Sequence, residues 1–210
     1  MQRMVFNLFI LGFLLLASVA CDLEENGPSD NIGVTPPPAD GSNIACDDIE
    51  LSADEEALYR DIMNERSRHK LPQIPLSPAL TYVAQTHADD IAKSSAIIAD
   101  ECNLHSWNSS RYWSGCCYTT DHAEAACMWD KPFELAGFRT PGYEIAYKGL
   151  NNPDGMLDAW LNSPGHADVI LNRNGWRDRA WYAIGIGISD NDATGERYAY
   201  VWFAERRDCE

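Results

Sequence analysis

Residues 159–171, A-W-L-N-S-P-G-H-A-D-V-I-L, contain the most informative motif of the chain. A helical pattern begins at 152–154, N-P-D, and stops at 163–165, S-P-G, where the proline and glycine break it. His166 follows the break directly. Imidazole is a common ligand of late transition metals and exchanges protons near neutral pH. A histidine in a loop just past a helix end is therefore better placed for a cleft than for a core.

Three other segments have helical patterns. Residues 52–68 begin with the capping box S-A-D-E, and a second helix begins where Ser77 precedes a first-turn proline. A short third helix is predicted at 132–137. His87 lies in the middle of the second helix among apolar positions. We therefore predict that it is a structural, hydrogen-bonded histidine rather than a ligand.

The C-terminal part of the chain has strand patterns. Residues 181–189 alternate isoleucine with alanine or glycine, which gives one bulky face and one bare face that a helix can approach closely. Residues 198–204 alternate again, and the segment 191–196 between them predicts a turn. The two strands should form an antiparallel hairpin. Helices followed by a terminal hairpin indicate an α+β layered domain.

The beginning of the chain has the features of an export signal. Residues 1–20 combine Arg3, an apolar run over 4–16 and small residues at the end. Cys21 follows S-V-A directly and resembles the lipobox of bacterial lipoproteins, in which the cysteine becomes the lipid-bearing N-terminus. The alternative is plain cleavage, with Cys21 as one more thiol. We predict an exported protein that is lipid-anchored at the bacterial cell envelope, on its periplasmic face or the cell surface, or secreted.

The cysteine count favours lipidation. The chain has seven cysteines, and six remain without Cys21, enough for three disulfides in an oxidising compartment. Six cysteines allow fifteen pairings, so the sequence does not fix the connectivity. We expect one bridge between Cys46 and Cys209, which would tie the ends of the domain together. The other four should staple the region 102–127: Cys102, Cys116, Cys117 and Cys127.

The charge distribution separates a tether from a folded domain. The formal net charge is −16, and eight acidic residues with no Lys or Arg lie between positions 22 and 50. Such a chain repels nucleic acid and anionic membrane surfaces, so no nucleic-acid partner is expected. Residues 21–45 are predicted to be the lipidated cysteine and an acidic, proline-rich tether, and residues 46–210 the folded domain.

The motifs of this domain follow a recognisable order. The most specific is W-L-N-S-P-G-H at 160–166, with I-L-N at 170–172. The others are A-Q-T-H-A-D-D-I-A at 84–92, L-H-S at 104–106, A-G-F at 136–138, E-I-A at 144–146 and I-G-I-G at 184–187. Over residues 51–205 the chain resembles the CAP superfamily of cysteine-rich secretory proteins, antigen 5 and plant pathogenesis-related proteins, in its bacterial SCP-like branch.

The resemblance implies a fold and a site. The fold is an α-β-α sandwich with a central antiparallel sheet flanked by helices. The site is a cleft where two histidines and one or two acidic residues meet and can hold a divalent metal. Those positions here are His105, His166 and Glu144, and weakly bound zinc is the expected metal. Two imidazoles and a carboxylate also match the three-ligand set of catalytic zinc.

The acidic residues depart from the family pattern in two ways. The family has G-E-N-I-A where this chain has G-Y-E-I-A at 142–146, so alignment on I-A puts Tyr143 at the glutamate position. In a strand, one residue of register moves a side chain to the other face. We expect Glu144 to face the cleft, and Tyr143 is the alternative. A second acid, found in some members, is replaced by Ser163.

The preferred functional hypothesis is binding rather than catalysis, with no catalytic residue assigned. We expect the metal-binding cleft to serve recognition of an unknown lipid, small-molecule or protein ligand at the cell envelope, while the lipid on Cys21 contacts the membrane. The first alternative is a metal-dependent hydrolase or peptidase that acts on peptides or envelope material. The second is an adhesive module that uses exposed aromatic residues such as Trp107, Tyr112 and Trp113.

Overall fold

The computed structural model describes residues 49–99 and 101–208. The predicted signal peptide, the lipidated Cys21, the tether and the cysteines at 46 and 209 lie outside the described residues. Within the described part of the chain, no helix is both long and apolar enough to cross a membrane.

The described residues form helices first and the terminal strands last, as the sequence predicts. A strand not assigned from its pattern lies between them. The elements are α1 (Ala53–Arg68), α2 (Pro78–Lys93), α3 (Ala125–Trp129), α4 (Lys131–Ala136), β1 (Tyr143–Gly149), α5 (Pro153–Leu161), α6 (Pro164–Ile170), β2 (Ala183–Asp190) and β3 (Arg197–Ala204). The capping box at the start of α1 is present, with both reciprocal hydrogen bonds between Ser52 and Glu55.

The three strands form one antiparallel sheet in the order β1-β3-β2. β2 and β3 are the predicted hairpin. α2 and α4 cover the face on which Tyr200 and Trp202 are buried. α1, α5 and α6 cover the opposite face, on which Val201 and Phe203 are buried. Each face of the sheet thus has its own apolar core, and the predicted α-β-α sandwich is confirmed.

The face of β2 that carries Gly185 and Gly187 allows α2 to lie very close to the sheet. A Cβ atom built on Gly185 would lie 2.0 Å from the carbonyl carbon of Leu80, and one on Gly187 would lie 2.2 Å from that of Ala84. Real Cβ atoms do not approach other atoms so closely, so only glycine fits at these positions. The predicted close approach of a helix is confirmed, and it places the α2 side chains directly over the strands.

The stretch 159–171 forms two helices rather than one helix and a loop. α5 ends at Leu161, and α6 begins at Pro164 with Ser163 as its N-cap residue. The prediction of a loop at His166 was therefore wrong, because the proline that ends one helix has a φ angle suited to the first turn of the next. The Trp160 indole donates to the Ala146 carbonyl at 2.9 Å, which fixes α5 against the edge strand β1.

A buried arginine fixes the end of α6. The Arg66 guanidinium donates to the Ile170 carbonyl at 2.6 Å and to Asn172 Oδ1 at 2.8 Å. Burial lowers the pKa of Arg66 to about 10, which leaves it charged at neutral pH. The I-L-N part of the sequence motif is thus an attachment point for α1, and it holds α6 in place.

Candidate functional site

The strand register places Glu144 and Tyr143 on opposite faces of the sheet. Glu144 lies opposite Trp202 in the β1–β3 pairing and shares the α2 face with Ala146. Tyr143 turns to the other face, where its ring packs against Trp176 and Trp181. Glu144 is therefore the residue that meets histidines, and its partners are His87 and His105. Its carboxylate is completely enclosed and lies between two imidazoles.

The first of these imidazoles belongs to His87 on α2. Its ring is stacked between Trp107 and Tyr200, with both centroid distances 3.9 Å. Its Nδ1 lies 2.7 Å from Glu144 Oε2, and its Nε2 lies 2.9 Å from the Ser106 carbonyl oxygen. Both ring nitrogens are therefore engaged inside the core. His87 has the structural, hydrogen-bonded role that its position in the helix predicts.

The hydrogen bonds restrict where the protons can lie. A carbonyl oxygen only accepts, so His87 Nε2 must carry a hydrogen. In a charge-neutral cluster, His87 is then either an imidazolium paired with ionised Glu144, or a neutral ring that accepts a proton donated by Glu144 Oε2. Burial raises the pKa of Glu144, and the charge of His87 opposes that rise. In both arrangements Glu144 Oε1 remains an acceptor.

His105 supplies the hydrogen that Glu144 Oε1 accepts. Its Nδ1 lies 2.7 Å from Oε1, in the turn that follows Asn103. Since Nδ1 donates, Nε2 of the neutral ring has its lone pair free, which is the tautomer that binds metals. Burial, followed by the charge of His122, lowers the pKa of His105 to about 4. The ring is therefore neutral over the physiological range.

His166 presents a second imidazole from the first turn of α6. Its Nδ1 lies 2.9 Å from the hydroxyl oxygen of Ser163, the residue at the place of the missing second acid. The side chain is half-buried. Burial lowers the pKa of His166, and the charge of His105 adds to that effect. The electrostatic coupling indicates that the two predicted histidines face a common region.

Two disulfides hold the loop that contains His105. Cys102 is bonded to Cys117, and Cys116 to Cys127, so these four cysteines staple the region as predicted. Within it, Trp107 and Cys116 form an isolated β-bridge with two backbone hydrogen bonds. The short helix α3 carries Cys127, and the sequence pattern does not indicate this helix.

The sequence motifs do not identify His122, a third histidine near the cleft. Tyr118 packs against the ring of His105 with a centroid distance of 5.2 Å and against His122 with one of 5.6 Å. Its hydroxyl lies 2.7 Å from His122 Nδ1. The position of His122 between two stapled cysteines, near in sequence to His105, is the signal that could have identified it.

The donor atoms of the cleft do not form a ready-made metal site in the described residues. Among residues 49–99 and 101–208, no three His, Cys, Asp or Glu side chains are arranged so that they could hold a metal ion. His105 and His166 each have Nδ1 engaged, which leaves Nε2 available for a divalent metal. Both oxygens of Glu144 are hydrogen-bonded to histidines. In this arrangement Glu144 orients His105, and its role as a direct ligand stays a prediction.

The aromatic residues considered for adhesion are mostly buried. Trp107 is 0% exposed and Trp113 is 6% exposed, while Tyr112 is 40% exposed. Trp107 instead packs against His87, so it belongs to the wall behind the cleft. The two tryptophans are too buried to contact a partner, so they do not support the adhesive hypothesis.

The fold and the cleft together define an α-β-α domain in which a buried glutamate is hydrogen-bonded to histidines. The family model for the cysteine-rich secretory protein family, CAP, matches residues 59–205, well over half of the chain. The protein belongs to this family. Among curated proteins, no relative matches the sequence.

The chain is similar to two solved structures. An outer surface protein of Borrelia burgdorferi has a TM-score of 0.52 and 18% identity, over 76% of this chain and 97% of that one. A cysteine-rich secretory protein of Staphylococcus aureus has a TM-score of 0.46 and 15% identity, over 73% of this chain and 38% of that one. At such identities the likeness concerns the fold alone.

Proposed function

We propose that this CAP-domain protein is exported, anchored to the bacterial cell envelope through a lipid on Cys21, and able to bind zinc weakly in its histidine cleft. The metal would serve recognition of a lipid, small-molecule or protein ligand. Export is supported by the signal-like residues 1–20, by the two disulfides and by the likeness to an outer surface protein. Structural disulfides persist in oxidising compartments outside the cytoplasm.

One observation carries the metal proposal: Glu144 holds Nδ1 of His105 and leaves Nε2 free. A carboxylate behind a histidine fixes its tautomer and raises its basicity, and such pairs are common behind metal-bound imidazoles. His166 would supply the second nitrogen. Two protein ligands leave further positions for water or for a ligand of the protein, so weak binding that a ligand strengthens is the expected behaviour.

Calorimetric titration of the purified protein with zinc tests this proposal. We expect the wild type to bind one zinc and the double variant His105→Ala/His166→Ala to lose that binding. His69→Ala is the matched control, because His69 is an exposed histidine paired with Glu65. Equal zinc binding by the wild type and the double variant would refute the cleft as the site.

The lipid anchor has an independent test. Intact-mass spectrometry of protein extracted from the envelope should give the mass of a chain that begins at an acylated Cys21. The variant Cys21→Ser should remain unprocessed or lack the acyl mass. An unmodified wild-type chain would contradict lipidation, and the export proposal would then rest on the signal-like segment and the disulfides.

A further inference from the structure

We propose that a pocket outside the histidine cleft binds a small zwitterion with an apolar side chain, namely an apolar amino acid or dipeptide. The pocket lies between α3, α4 and the segment 137–142 that leads into β1. His105, Glu144 and His166 are not among the residues that line it, so the proposal does not depend on metal binding. Its volume of about 410 Å³ falls in the range of about 300–1,000 Å³ that is usual for small-molecule sites.

The walls of the pocket are held in place by contacts within the protein. The Gly142 amide donates to the Trp129 carbonyl at 3.0 Å, which folds the segment 137–142 back onto α3. On the other side, the disulfide between Cys116 and Cys127 joins α3 to the stapled region. A pocket with fixed walls loses little conformational freedom when it binds a ligand, so even a small ligand can bind measurably.

Two oppositely charged side chains of the lining are free to bind a ligand. Within the part of the chain that the structure describes, neither the Arg139 guanidinium nor the Asp130 carboxylate forms a salt bridge. A third charged residue of the lining, Glu134, is already engaged. It is paired with the buried Lys131 and accepts a hydrogen bond from the Ser114 amide at 2.6 Å. The pocket therefore offers a ligand one positive and one negative charge.

These two charges favour a ligand that carries both signs. An arginine guanidinium binds a carboxylate through two parallel hydrogen bonds, and a carboxylate accepts hydrogen bonds from an ammonium group. A simple anion bound to Arg139 would be repelled by Asp130, and a simple cation bound to Asp130 would be repelled by Arg139. The carboxylate and the ammonium group of an amino acid or dipeptide satisfy both residues at once.

The pocket also provides an apolar surface and an unused hydrogen-bonding group. Phe133 lines the pocket and is 63% exposed, so an apolar side chain packed on its ring would remove apolar surface from water. The hydroxyl oxygen of Thr140, another lining residue, is buried and has no hydrogen-bond partner among the described residues. Rotation about one bond can turn this hydroxyl toward a ligand carboxylate, which would accept its hydrogen.

Isothermal titration calorimetry of the full protein with L-phenylalanine and with L-leucyl-L-leucine tests the proposal, with one probe for each size of ligand. We expect at least one of the two probes to bind. Its N-acetylated form lacks the ammonium group, and its amidated form lacks the carboxylate. Each form should bind at least about tenfold more weakly, because one charge-assisted interaction is lost. If neither probe binds, or if the three forms bind equally, the zwitterion site is refuted.

Two substitutions assign the charges of the probe to the pocket. The free and the amidated probe should bind Arg139→Gln equally, and the free and the N-acetylated probe should bind Asp130→Asn equally. Asp130 makes no side-chain capping hydrogen bond to α4, so its replacement should leave the helix intact. Arg177→Gln is the matched control, because Arg177 is exposed and does not line the pocket. An affinity of Arg139→Gln for the free probe equal to that of this control would overturn the pocket as the site.

The histidine variants keep this proposal separate from the metal proposal. His105→Ala/His166→Ala should bind the probe as the wild type does, even when it has lost zinc binding. Loss of the probe in that variant would show that the ligand occupies the histidine cleft, and it would refute the pocket. A wild type that binds zinc but neither probe would refute the pocket and leave the metal proposal standing.

Discussion

At the scale of single residues, the cleft depends on how a buried carboxylate is satisfied. Glu144 receives one histidine from α2 and one from the stapled loop, and His87 reaches beyond it to the Ser106 carbonyl. A buried charge or carboxylic acid is stable only when its hydrogen-bonding groups are paired. His87 on α2 is therefore hydrogen-bonded both to Glu144 of the sheet and to the loop that contains Ser106.

Replacement of His87 by phenylalanine tests this link. The phenyl ring fits between Trp107 and Tyr200 but leaves Glu144 Oε2 and the Ser106 carbonyl without a partner. We expect the free energy of unfolding in urea at pH 7 to fall by about 3 kcal/mol. His69→Phe, on the surface, should change it by less than about 0.5 kcal/mol. A loss in His87→Phe no larger than that of the control would contradict the linking role.

The low pKa of His105 predicts a pH dependence of stability. Between about pH 6.5, the usual value, and about pH 4, the unfolded chain binds a proton that the folded chain does not, so stability falls as the pH falls. The full effect is about 3 kcal/mol at most. Burial raises the pKa of Asp90 to about 6, which acts in the opposite direction over a similar range.

Comparison with His105→Gln isolates this contribution, since Asp90 is present in both proteins. Urea unfolding at a series of pH values from 7 to 4 should give a difference in stability that favours the wild type at pH 7 and shrinks steadily toward pH 4. A difference that stays constant with pH would show that His105 is not held neutral by the fold.

The sequence could identify the cleft residues but not their contacts. His105, His166 and Glu144 follow from the family motifs, whereas the choice between Glu144 and Tyr143 depends on strand register. That register is set by pairing with β3, which lies more than fifty residues further along the chain. His122 was missed because its proximity to His105 depends on the disulfide pairing, which six cysteines leave open.

At the scale of elements, α2 lies so close to β2 that only glycine fits at two positions of the strand. This contact follows from two glycines on one face of a strand, a pattern that is visible in the sequence. The same contact brings His87 on α2 within hydrogen-bonding distance of Glu144 on β1. The sequence patterns also predicted α1, α2, α4, α5 and the hairpin. They missed α3, which lies in the cysteine-rich segment, and α6, which begins at the proline that was expected to end a helix.

Gly185→Ala tests the helix–strand contact. The added methyl group would meet the backbone of Leu80 at 2.0 Å, so α2 must shift away from the sheet. We expect a loss of about 2–3 kcal/mol in the free energy of unfolding. Gly175→Ala is the matched control, because its methyl group would have no atom within 4 Å. If the two variants lose equal stability, the close approach of α2 is not a determinant of the fold.

At the scale of the whole molecule, the order of motifs predicted the sandwich. The sequence does not show which side chains of the cleft lie close together in the fold. His105 and His166 are 61 residues apart in the sequence, and α3, α4, β1 and α5 lie between them along the chain. Their common environment arises from three separate attachments. Disulfides hold the loop, Trp160 holds α5 to β1, and Arg66 holds the end of α6.

The described flanks of the domain both contact α2, and the predicted Cys46–Cys209 bridge would join the chain beyond them. The Glu50 carbonyl accepts a hydrogen bond from Gln85, and Asp208 accepts one from the amide of Ala79, so both flanks reach α2. Both cysteines lie outside the described residues, so the bridge stays a prediction.

The bridge expected from the cysteine count predicts that peptide mapping of the exported protein without reduction gives a linked pair of peptides that contain Cys46 and Cys209. Cys46→Ser should lower the free energy of unfolding by about 2–4 kcal/mol, because the unfolded chain is no longer constrained. The double variant Cys46→Ser/Cys209→Ser should be no less stable than either single variant, since one bond is lost in all three. Free thiols at both positions in the wild type, or additive losses in the double variant, would show that the ends of the domain are not joined.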